Sequence, residues 1–507
     1  MGVDVWGRGS YGGGGFGAYK AINHIAPPTL GLSVALFAQA WTWETIENEP
    51  GFTWDVWWQN ERNLWAGFTD SLAAPPEGND NEGPYKPISA FFQHLPPPDP
   101  IDIPFNTTFC PGVGLAWFIE GTSVSQFPKG WMDADKQTTM GDLLWPAPAL
   151  QWESASAGTV PDVTVSVNMT DSWNSGSSVQ LDFSEKTANS NLTNRSFYVP
   201  IQVLSLTAKQ NYTASIIYKS NQSTSSPNID LDVTLTIRPR DTNLGIEMQV
   251  APESIKTSLI SNNWIKVTVQ FVAVEASPTG STVDSEIGII INTVSNDTAP
   301  FSLSILLGQI NVHATPSPTI DPNFPRILWA ESTTTTTTTT TVANSDKSSN
   351  ANTEDTTLSL TTISWTPSTS LTQVGPINVN SPDDPNCVWT PEPPFKNQWF
   401  PGFLYYNIFA AEPGAAIRAL AKVRGGGSPR QHVLKNLSDQ PEPGMIWIGT
   451  SGADGSVGKG RLQFSFDRTQ LPAALRDLTT LRVFVQGVLE TGQVLSWENS
   501  AYVDVQF

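Results

Sequence analysis

Charged and aromatic side chains follow the first short apolar segment of the chain, residues 1–8 (MGVDVWGR). Asp4 lies between two valines, so in a strand its carboxylate faces away from them. There Asp4 could hydrogen-bond a sugar hydroxyl, with Trp6 and Arg8 beside it at the end of the segment. An equally good explanation is an Asp4–Arg8 ion pair that only fixes the loop.

A second group follows the apolar run of residues 32–37 (LSVALF). Indole rings are flat, rigid and amphipathic, so Trp41 and Trp43 could stack on the face of a sugar ring. We expect Trp41 to bind and Trp43 to pack beneath the loop. Glu44 is either a polar contact to the same ligand or, as we favour, a solvated charge beside Glu47 and Glu49. A glycosidase carboxylate pair made of Asp4 and Glu44 is a further alternative, which we do not favour.

The elements that carry these residues alternate between strand-like and helix-like patterns in residues 1–149. Two apolar runs separated by a glycine-rich turn, an amphipathic pattern and a short proline-terminated helix are typical of βα units and a parallel sheet. The predicted strands are 1–6, 32–37 and 105–109, and the predicted helices are 55–68 and 88–95.

From about residue 150 the apolar pattern changes to alternation with a period of two. Short alternating segments separated by polar turns predict an antiparallel jelly-roll-like β-sandwich over 150–318 and a fibronectin- or immunoglobulin-like sandwich over 319–507. A tract of nine threonines lies in the second of these, and we expect a disordered insertion over 332–356. The predicted strands are 163–167, 179–183, 201–206, 229–237, 264–272, 287–291, 326–330, 358–365, 403–410, 417–423, 462–466, 481–488 and 501–507.

Composition excludes several classes of partner. The 507 residues include 27 Lys and Arg against 47 Asp and Glu, a net charge of −20, which disfavours nucleic acid and anionic membranes. Only two cysteines occur, Cys110 and Cys387, and no signal peptide is visible, so we expect a cytoplasmic protein, or a secreted one if an upstream leader is missing. The Asn-x-Ser/Thr sequon at Asn106 falls in a predicted buried strand, so we expect no glycan there.

Three blocks in the first 145 residues resemble consecutive strands of glycoside hydrolase family 85, endo-β-N-acetylglucosaminidases, here of the cytosolic, fungal-like type. MGVDVWGRG (1–9) resembles the sixth barrel strand and its loop, LSVALFAQAWTWE (32–44) the seventh, and FNTTFCPGVG (105–114) the eighth. The family usually has Pro-Gly in place of Gln39-Ala40, and often Tyr in place of Trp43.

The resemblance implies the last three strands of a (β/α)8 barrel followed by two β-sandwiches. It also implies hydrolysis of the bond between the two core N-acetylglucosamine residues of an N-glycan, by a substrate-assisted retaining mechanism. The family's acid, a Glu, and the Asn two residues before it lie on earlier strands, and no Asn-x-Glu precedes the first block. We therefore assign no catalytic residue, expect an N-terminally truncated and inactive chain, and retain Asp4, Trp6, Arg8, Trp41 and Glu44 as substrate-binding candidates.

The implied partners are N-glycans or glycoproteins, and no cofactor is expected. Asp133 and Asp135 beside Trp131 resemble a metal loop only superficially, because the glycine and distal glutamate of a calcium loop are missing. The alternative function is a non-catalytic carbohydrate-binding or structural β-sandwich protein.

Overall fold

The structure is a computed structural model that describes most of the chain, and it divides into two compact units, Met1–Pro96 and Pro97–Phe507. Among the described residues, no helix combines the length and apolar character that a membrane span needs. The described residues are 1–68, 81–92, 97–101, 103–143, 150–153, 161–185, 194–220, 229–240, 247–274, 281–295, 302–315, 325–342, 353–368, 402–413, 444–452 and 462–507.

The described part of the first unit contains two short strands and three helices. Strand β1 (Gly2–Asp4) pairs in parallel with β2 (Ala35–Phe37), with Val3 opposite Leu36 and Asp4 opposite Phe37. A helix that the sequence did not predict, Ala18–Ile25, connects the two strands, so this part is a βαβ unit with the parallel pairing that the sequence predicts. The elements are β1 (Gly2–Asp4), α1 (Ala18–Ile25), β2 (Ala35–Phe37), α2 (Trp41–Glu44) and α3 (Trp54–Trp65), with 3-10 turns at Gly15–Gly17, Pro28–Leu30 and Ile88–Phe91.

The two faces of the β1–β2 pair have different surroundings. Val3 and Val5 are buried in a small core with residues from α1, α3 and the turn at Ile88, and Leu36 packs against it. On the opposite face lie Asp4 and Phe37, and Phe37 is 63% exposed. Alternation along the strand therefore places the functional candidate Asp4 on the open face.

Helix α3 confirms the amphipathic pattern predicted for residues 55–68. It begins after Thr53, whose side chain accepts a hydrogen bond of 3.2 Å from the Val56 amide and so caps the first turn. Its inner face buries Leu64, and the Asn60 side chain donates to the Thr42 carbonyl at 3.0 Å. The helix is thereby attached to the segment that follows β2.

The second unit is built almost entirely of antiparallel strands. Most of the predicted segments lie in strands, whereas 417–423 lies outside the described residues. The sequence did not predict the strands at 111–119, 122–137, 151–152, 211–220, 247–250, 256–259, 302–314 and 446–452. The strands are β3 (Phe105–Thr107), β4 (Pro111–Ile119), β5 (Thr122–Gln137), β6 (Gln151–Trp152), β7 (Asp162–Asn168), β8 (Ser178–Ser184), β9 (Asn194–Thr207), β10 (Asn211–Ser220), β11 (Ile229–Pro239), β12 (Glu247–Val250), β13 (Lys256–Leu259), β14 (Ile265–Val274), β15 (Thr282–Ser295), β16 (Ser302–Ala314), β17 (Ile327–Val342), β18 (Thr353–Pro367), β19 (Phe403–Ala411), β20 (Ile446–Gly452), β21 (Gln463–Asp467), β22 (Thr480–Leu489) and β23 (Ala501–Gln506). A short helix, α4 (Ala473–Arg476), and 3-10 turns at Pro252–Ser254, Ser261–Asn263, Arg468–Gln470 and Trp497–Asn499 complete the described elements.

Two sheets enclose the larger core of this unit. One has the order β12-β14-β10-β16-β8-β7, and the other has the order β11-β15-β9-β6. Their inward side chains alternate with outward ones and form one apolar cluster that includes Phe197, Ile216, Val267 and Ile289.

Strand β3 departs from the prediction that residues 105–109 continue the parallel sheet. It pairs antiparallel with β16, with Asn106 opposite Asn311. Phe105 packs against the large apolar core, which an alternating strand can reach with one face only. The Asn106 side-chain oxygen is buried, which fits the expectation that this sequon carries no glycan in the folded protein.

The threonine tract also departs from its prediction. Residues 332–342 and 353–356 lie in β17 and β18, which pair antiparallel, with Thr333 opposite Thr362, where the sequence predicts disorder. Threonine is β-branched and favours extended backbone even where it buries little. Residues 343–352 lie outside the described residues.

A second core lies between the sheets β17-β18-β21 and β20-β19-β22-β23. The β4–β5 hairpin places Trp117 in a separate apolar cluster, where it stacks on Trp447 and donates a buried hydrogen bond of 3.1 Å to the Asn407 side chain. The hairpin is therefore anchored to the later strands through aromatic packing and one buried polar contact.

Candidate functional site in the first unit

The glycine-rich loop after β1 fixes the position of Asp4. The Asp4 amide donates to Ser10 Oγ at 2.9 Å, and the Trp6 amide donates to Asp4 Oδ1 at 3.0 Å. Gly14 passes so close that a Cβ would lie 2.3 Å from the Val5 carbonyl oxygen, so only glycine fits at this point of the loop.

Asp4 and Arg8 form the ion pair that the sequence leaves open. Arg8 Nε lies 2.8 Å from Asp4 Oδ2, with 64% of the Arg8 side chain and 16% of the Asp4 side chain exposed. The hydrogen bond from Arg8 is the largest influence that lowers the pKa of Asp4, so its carboxyl group stays ionised. The Arg8 guanidinium also lies 5.6 Å from the centre of the Phe37 ring on the open face of β2.

Trp6 and Glu44 connect the loops that follow the two strands. The Trp6 indole Nε1 donates to Glu44 Oε2 at 3.1 Å, and 40% of Trp6 is exposed. Glu44 is therefore more than the solvated charge that the sequence favours, because it orients an exposed indole. Sequence reasoning missed this contact, since 38 positions separate the partners.

Trp41 is only partly exposed, and its ring packs beneath the glycine-rich loop. A Cβ on Gly15 would lie 2.4 Å from Trp41 Cζ2, and the ring centre lies 5.3 Å from that of Phe16 in an edge-to-face arrangement. Trp6, which is 40% exposed, offers a more open face for stacking than Trp41 does.

A cavity of about 330 Å³ lies behind Trp43, between α2, α3 and the end of β2. Trp43 packs edge-on against Trp57 with ring centres 5.6 Å apart, as expected for a packing residue. Thr42 donates a short hydrogen bond to the Glu61 carboxylate. Sequence reasoning missed this cavity, which is lined by Ala38, Gln39, Ala40, Thr42, Trp43, Trp57 and Glu61.

Backbone strain marks the rim of the same cavity. Ala38 directly follows β2 and has φ of 60°, the left-handed region that costs a residue with a Cβ about 1–2 kcal/mol. Strain of this kind is concentrated at functional positions. The backbone conformation of Ala38 sets the direction in which the chain continues from β2 into Gln39 and α2.

Asp133 and Asp135, the superficial metal-loop candidates in the second unit, make protein contacts instead. The Asp135 amide donates to Asp133 Oδ1 at 3.0 Å, and Lys136 Nζ lies 3.3 Å from Asp133 Oδ2. Within the described ranges, no group of three or more His, Cys, Asp and Glu side chains is arranged to hold a metal ion.

Comparisons with known proteins give the context of this site. Residues 1–117 match the sequence model described as Glycosyl hydrolase family 85. Over 67 residues the chain is 39% identical to cytosolic endo-beta-N-acetylglucosaminidase 1 of Arabidopsis thaliana, a match that covers 13% of this chain and 9% of that protein. The solved structure of the glycoside hydrolase domain of Endo-D from Streptococcus pneumoniae aligns with all of this chain and 57% of its own, at 12% identity and a TM-score of 0.42. The matches thus span less than two thirds of these relatives. Residues 1–117 of this chain are therefore similar to glycosyl hydrolase family 85.

Proposed function

We propose that this chain takes part in the hydrolysis of the GlcNAc-β-1,4-GlcNAc bond in the core of N-glycans, the reaction of an endo-β-N-acetylglucosaminidase. The family match over residues 1–117 supports the reaction class. The observation that carries the proposal is the hydrogen bond between Trp6 and Glu44, because it holds an exposed indole at the ends of two parallel strands. Strand ends of this kind form the active-site face of (β/α)8 enzymes.

The proposed roles follow from the contacts of each side chain. Trp6 stacks on one face of a sugar ring, since its indole is oriented by Glu44 and open to solvent. Asp4 stays ionised beside Arg8, so the pair offers acceptors and donors to sugar hydroxyls. Trp41 supports the loop from below and contacts the sugar with its exposed edge only.

We propose that residues 1–507 bind the glycan without cleaving it. In the substrate-assisted mechanism that the family resemblance implies, the 2-acetamido oxygen attacks the anomeric carbon, a Glu protonates the leaving oxygen and an Asn orients the acetamide. No residue in the matched blocks is that Glu or Asn. Asp4 is a poor general acid, because the hydrogen bond from Arg8 lowers the pKa of its carboxyl group whereas an acid needs a raised pKa.

The same proposal includes the partners, the compartment and the domain architecture of the protein. The partners are N-glycans or glycoproteins in the cytoplasm, and the Arabidopsis relative is named as cytosolic. We further propose that β1 and β2, with the helices beside them, derive from consecutive strands of a (β/α)8 barrel domain, which β3 does not continue because it pairs antiparallel with β16. The two-sheet bodies that follow are proposed to be a jelly-roll-like sandwich and a fibronectin- or immunoglobulin-like sandwich.

The test is to incubate the purified 507-residue chain with a high-mannose Asn-linked glycopeptide and to measure binding by calorimetry and released glycan by mass spectrometry. We expect saturable binding and no release. An absence of binding would contradict the glycan site, and release of the glycan would contradict the assignment of the acid to residues outside the matched blocks. If release occurs, Asp4→Asn and Glu44→Gln decide whether these two carboxylates perform it.

A further inference from the structure

The outward face of the sheet β11-β15-β9-β6 carries an unusual group of polar residues. Arg238 on β11 lies opposite Glu286 on β15, two positions along from Gly288. On the other side of β15, Gly288 lies opposite Pro200 and Ile290 opposite Tyr198 on β9. These residues belong to the alternate set that points away from the apolar core.

Tyr198 lies flat across this face because the strand beside it lacks a side chain at one position. A Cβ on Gly288 would lie 2.4 Å from Tyr198 Cε2, so any larger residue would displace the ring. The Tyr198 hydroxyl donates to Glu286 Oε1 at 3.0 Å, which fixes both groups. Burial of the hydroxyl and the nearby Glu286 carboxylate raise the pKa of Tyr198, so it stays a hydrogen-bond donor.

Arg238 covers the other face of the Tyr198 ring. Its guanidinium carbon lies 3.8 Å from the ring centre, a close cation–π contact. One terminal nitrogen lies 2.7 Å from Glu153 Oε1, and 32% of the Arg238 side chain is exposed. The Tyr198 ring and the Glu153 carboxylate therefore hold the guanidinium in place, while part of it faces solvent.

Two other arginines in the same unit show what a purely structural pair looks like. Arg195 uses Nε and Nη2 to bind both oxygens of Glu185, with both side chains buried. Arg482 lies 4.1 Å over Tyr502 and uses two nitrogens on both oxygens of Asp504. Within the described residues, Arg238 has one ion-pair contact, so most of its five N–H donors remain open.

Each of the two carboxylates near Arg238 makes its protein contact through one of its two oxygens. In the described part of the chain, Glu286 accepts through Oε1 and Glu153 contacts Arg238 through Oε1, which leaves the second oxygen of each as an acceptor. Donors and acceptors thus alternate over a short distance on a rigid sheet face. One arginine against two glutamates gives a local charge of −1 in a chain of net charge −20, which disfavours an anionic ligand.

We propose that this face, centred on Arg238, Glu153 and Glu286, is a binding site for a neutral, hydroxyl-rich saccharide. Adjacent sugar hydroxyls each donate and accept, so one hydroxyl can accept from the guanidinium while its neighbour donates to Glu286 or Glu153. The site lies in the second unit and shares no residue with the Trp6 site, so it goes beyond the proposed function.

The experiment measures binding of the full chain to three neutral probes, chitopentaose, mannopentaose and cellopentaose, by calorimetry. We expect binding to at least one probe, weakened about tenfold or more by Arg238→Ala, because a hydrogen bond from a charged group is lost. Arg238→Lys should weaken it as well, since an ammonium lacks the planar fork. Arg482→Ala is the matched control, because it removes a similar Arg–Tyr–carboxylate group elsewhere, and it should leave affinity unchanged.

Thermal unfolding of each variant checks that the fold is intact. Glu286→Gln keeps an acceptor for the Tyr198 hydroxyl and provides a second variant if Arg238→Ala unfolds the unit. Failure of the wild-type chain to bind any of the three probes would overturn the proposal. Binding that is abolished by Trp6→Ala but unaffected by the Arg238 and Glu286 variants would also overturn it, while leaving the proposed function intact.

Discussion

The indole Nε1 of Trp6 donates a hydrogen bond of 3.1 Å to the carboxylate of Glu44, a residue 38 positions away on the short helix α2 that follows the neighbouring parallel strand. The contact orients the Trp6 indole, which is 40% exposed. It also couples the loop after β1, which carries Arg8, to helix α2, which carries Trp41. Glu44 is therefore a positioning residue for Trp6, and its effects are expected to depend on its hydrogen-bonding ability.

Replacing Glu44 by alanine should weaken glycan binding. The Trp6 indole then loses its acceptor, and we expect the affinity for a high-mannose glycopeptide to fall by about three- to tenfold, the size of one net hydrogen bond. Glu44→Gln keeps an acceptor oxygen and should stay within about twofold of the wild type. Equal losses in the two variants, measured by calorimetry, would instead indicate that the charge of Glu44 matters.

The sequence predicts the local pattern better than the pairing of distant segments. The alternation around Asp4 and the amphipathic pattern of α3 are local, and the structure contains both. Strand β3 was assigned to the wrong sheet, because its short sequence cannot distinguish a parallel partner from β16 two hundred positions away. Disorder was predicted for the threonine tract because the tract has few apolar residues. Threonine nevertheless favours extended backbone, and the tract forms a strand because β18 pairs with it.

In the candidate site, too, the sequence predicted local contacts better than contacts between distant residues. Asp4 and Arg8 are four residues apart, so their pairing could be foreseen as one of two explanations. The Trp6–Glu44 contact depends on the parallel pairing of β1 with β2, which residue types alone do not specify. The lower exposure of Trp41 depends on Gly15, because only a residue without a Cβ admits the indole ring at that point.

The buried hydrogen bond from Trp117 to Asn407 should matter for the stability of the second unit. Trp117→Phe removes the donor, and the Asn407 amide nitrogen already lacks a partner among the described residues. We expect a loss of about 1–3 kcal/mol in the free energy of unfolding, measured by urea titration with circular dichroism. Asn211→Ala, at an exposed strand start, should change it by less than about 0.5 kcal/mol and serves as the control.

Gly492 should not tolerate a side chain. It has φ of 72°, and a Cβ would lie 2.2 Å from Gln309 Nε2 and 2.4 Å from Asn106 Oδ1. Gly130 has φ of 77° but its nearest neighbour would be 3.5 Å away, so Gly130→Ala carries the backbone strain without the clash. We expect Gly492→Ala to lower the free energy of unfolding by about 1–3 kcal/mol more than Gly130→Ala. Equal losses would show that the contact relaxes freely.

His313 should make the second unit less stable in mild acid. Burial lowers its pKa below the ordinary value of 6.5, and the nearby Lys266 charge lowers it further. The unfolded chain therefore binds more protons below about pH 6.5, so this contribution is present above that pH and is lost as the pH falls. When the pH is lowered from 7.5 to 5.5, the midpoint temperature of thermal unfolding should fall, and it should fall less in the His313→Gln variant than in the wild type. If the midpoint changed equally with pH in both proteins, His313 would not be the cause.

The most direct test of the glycan site is the affinity of the full chain for a high-mannose Asn-linked glycopeptide, measured by calorimetry for the wild type, Trp6→Ala and Trp43→Phe. Trp6 presents the open indole, whereas Trp43 packs against Trp57. Loss of one stacked aromatic side chain should weaken binding about tenfold or more in Trp6→Ala, with little change in Trp43→Phe. Unchanged affinity in Trp6→Ala, with the fold intact by thermal unfolding, would contradict the assignment of glycan binding to the Trp6–Glu44 site.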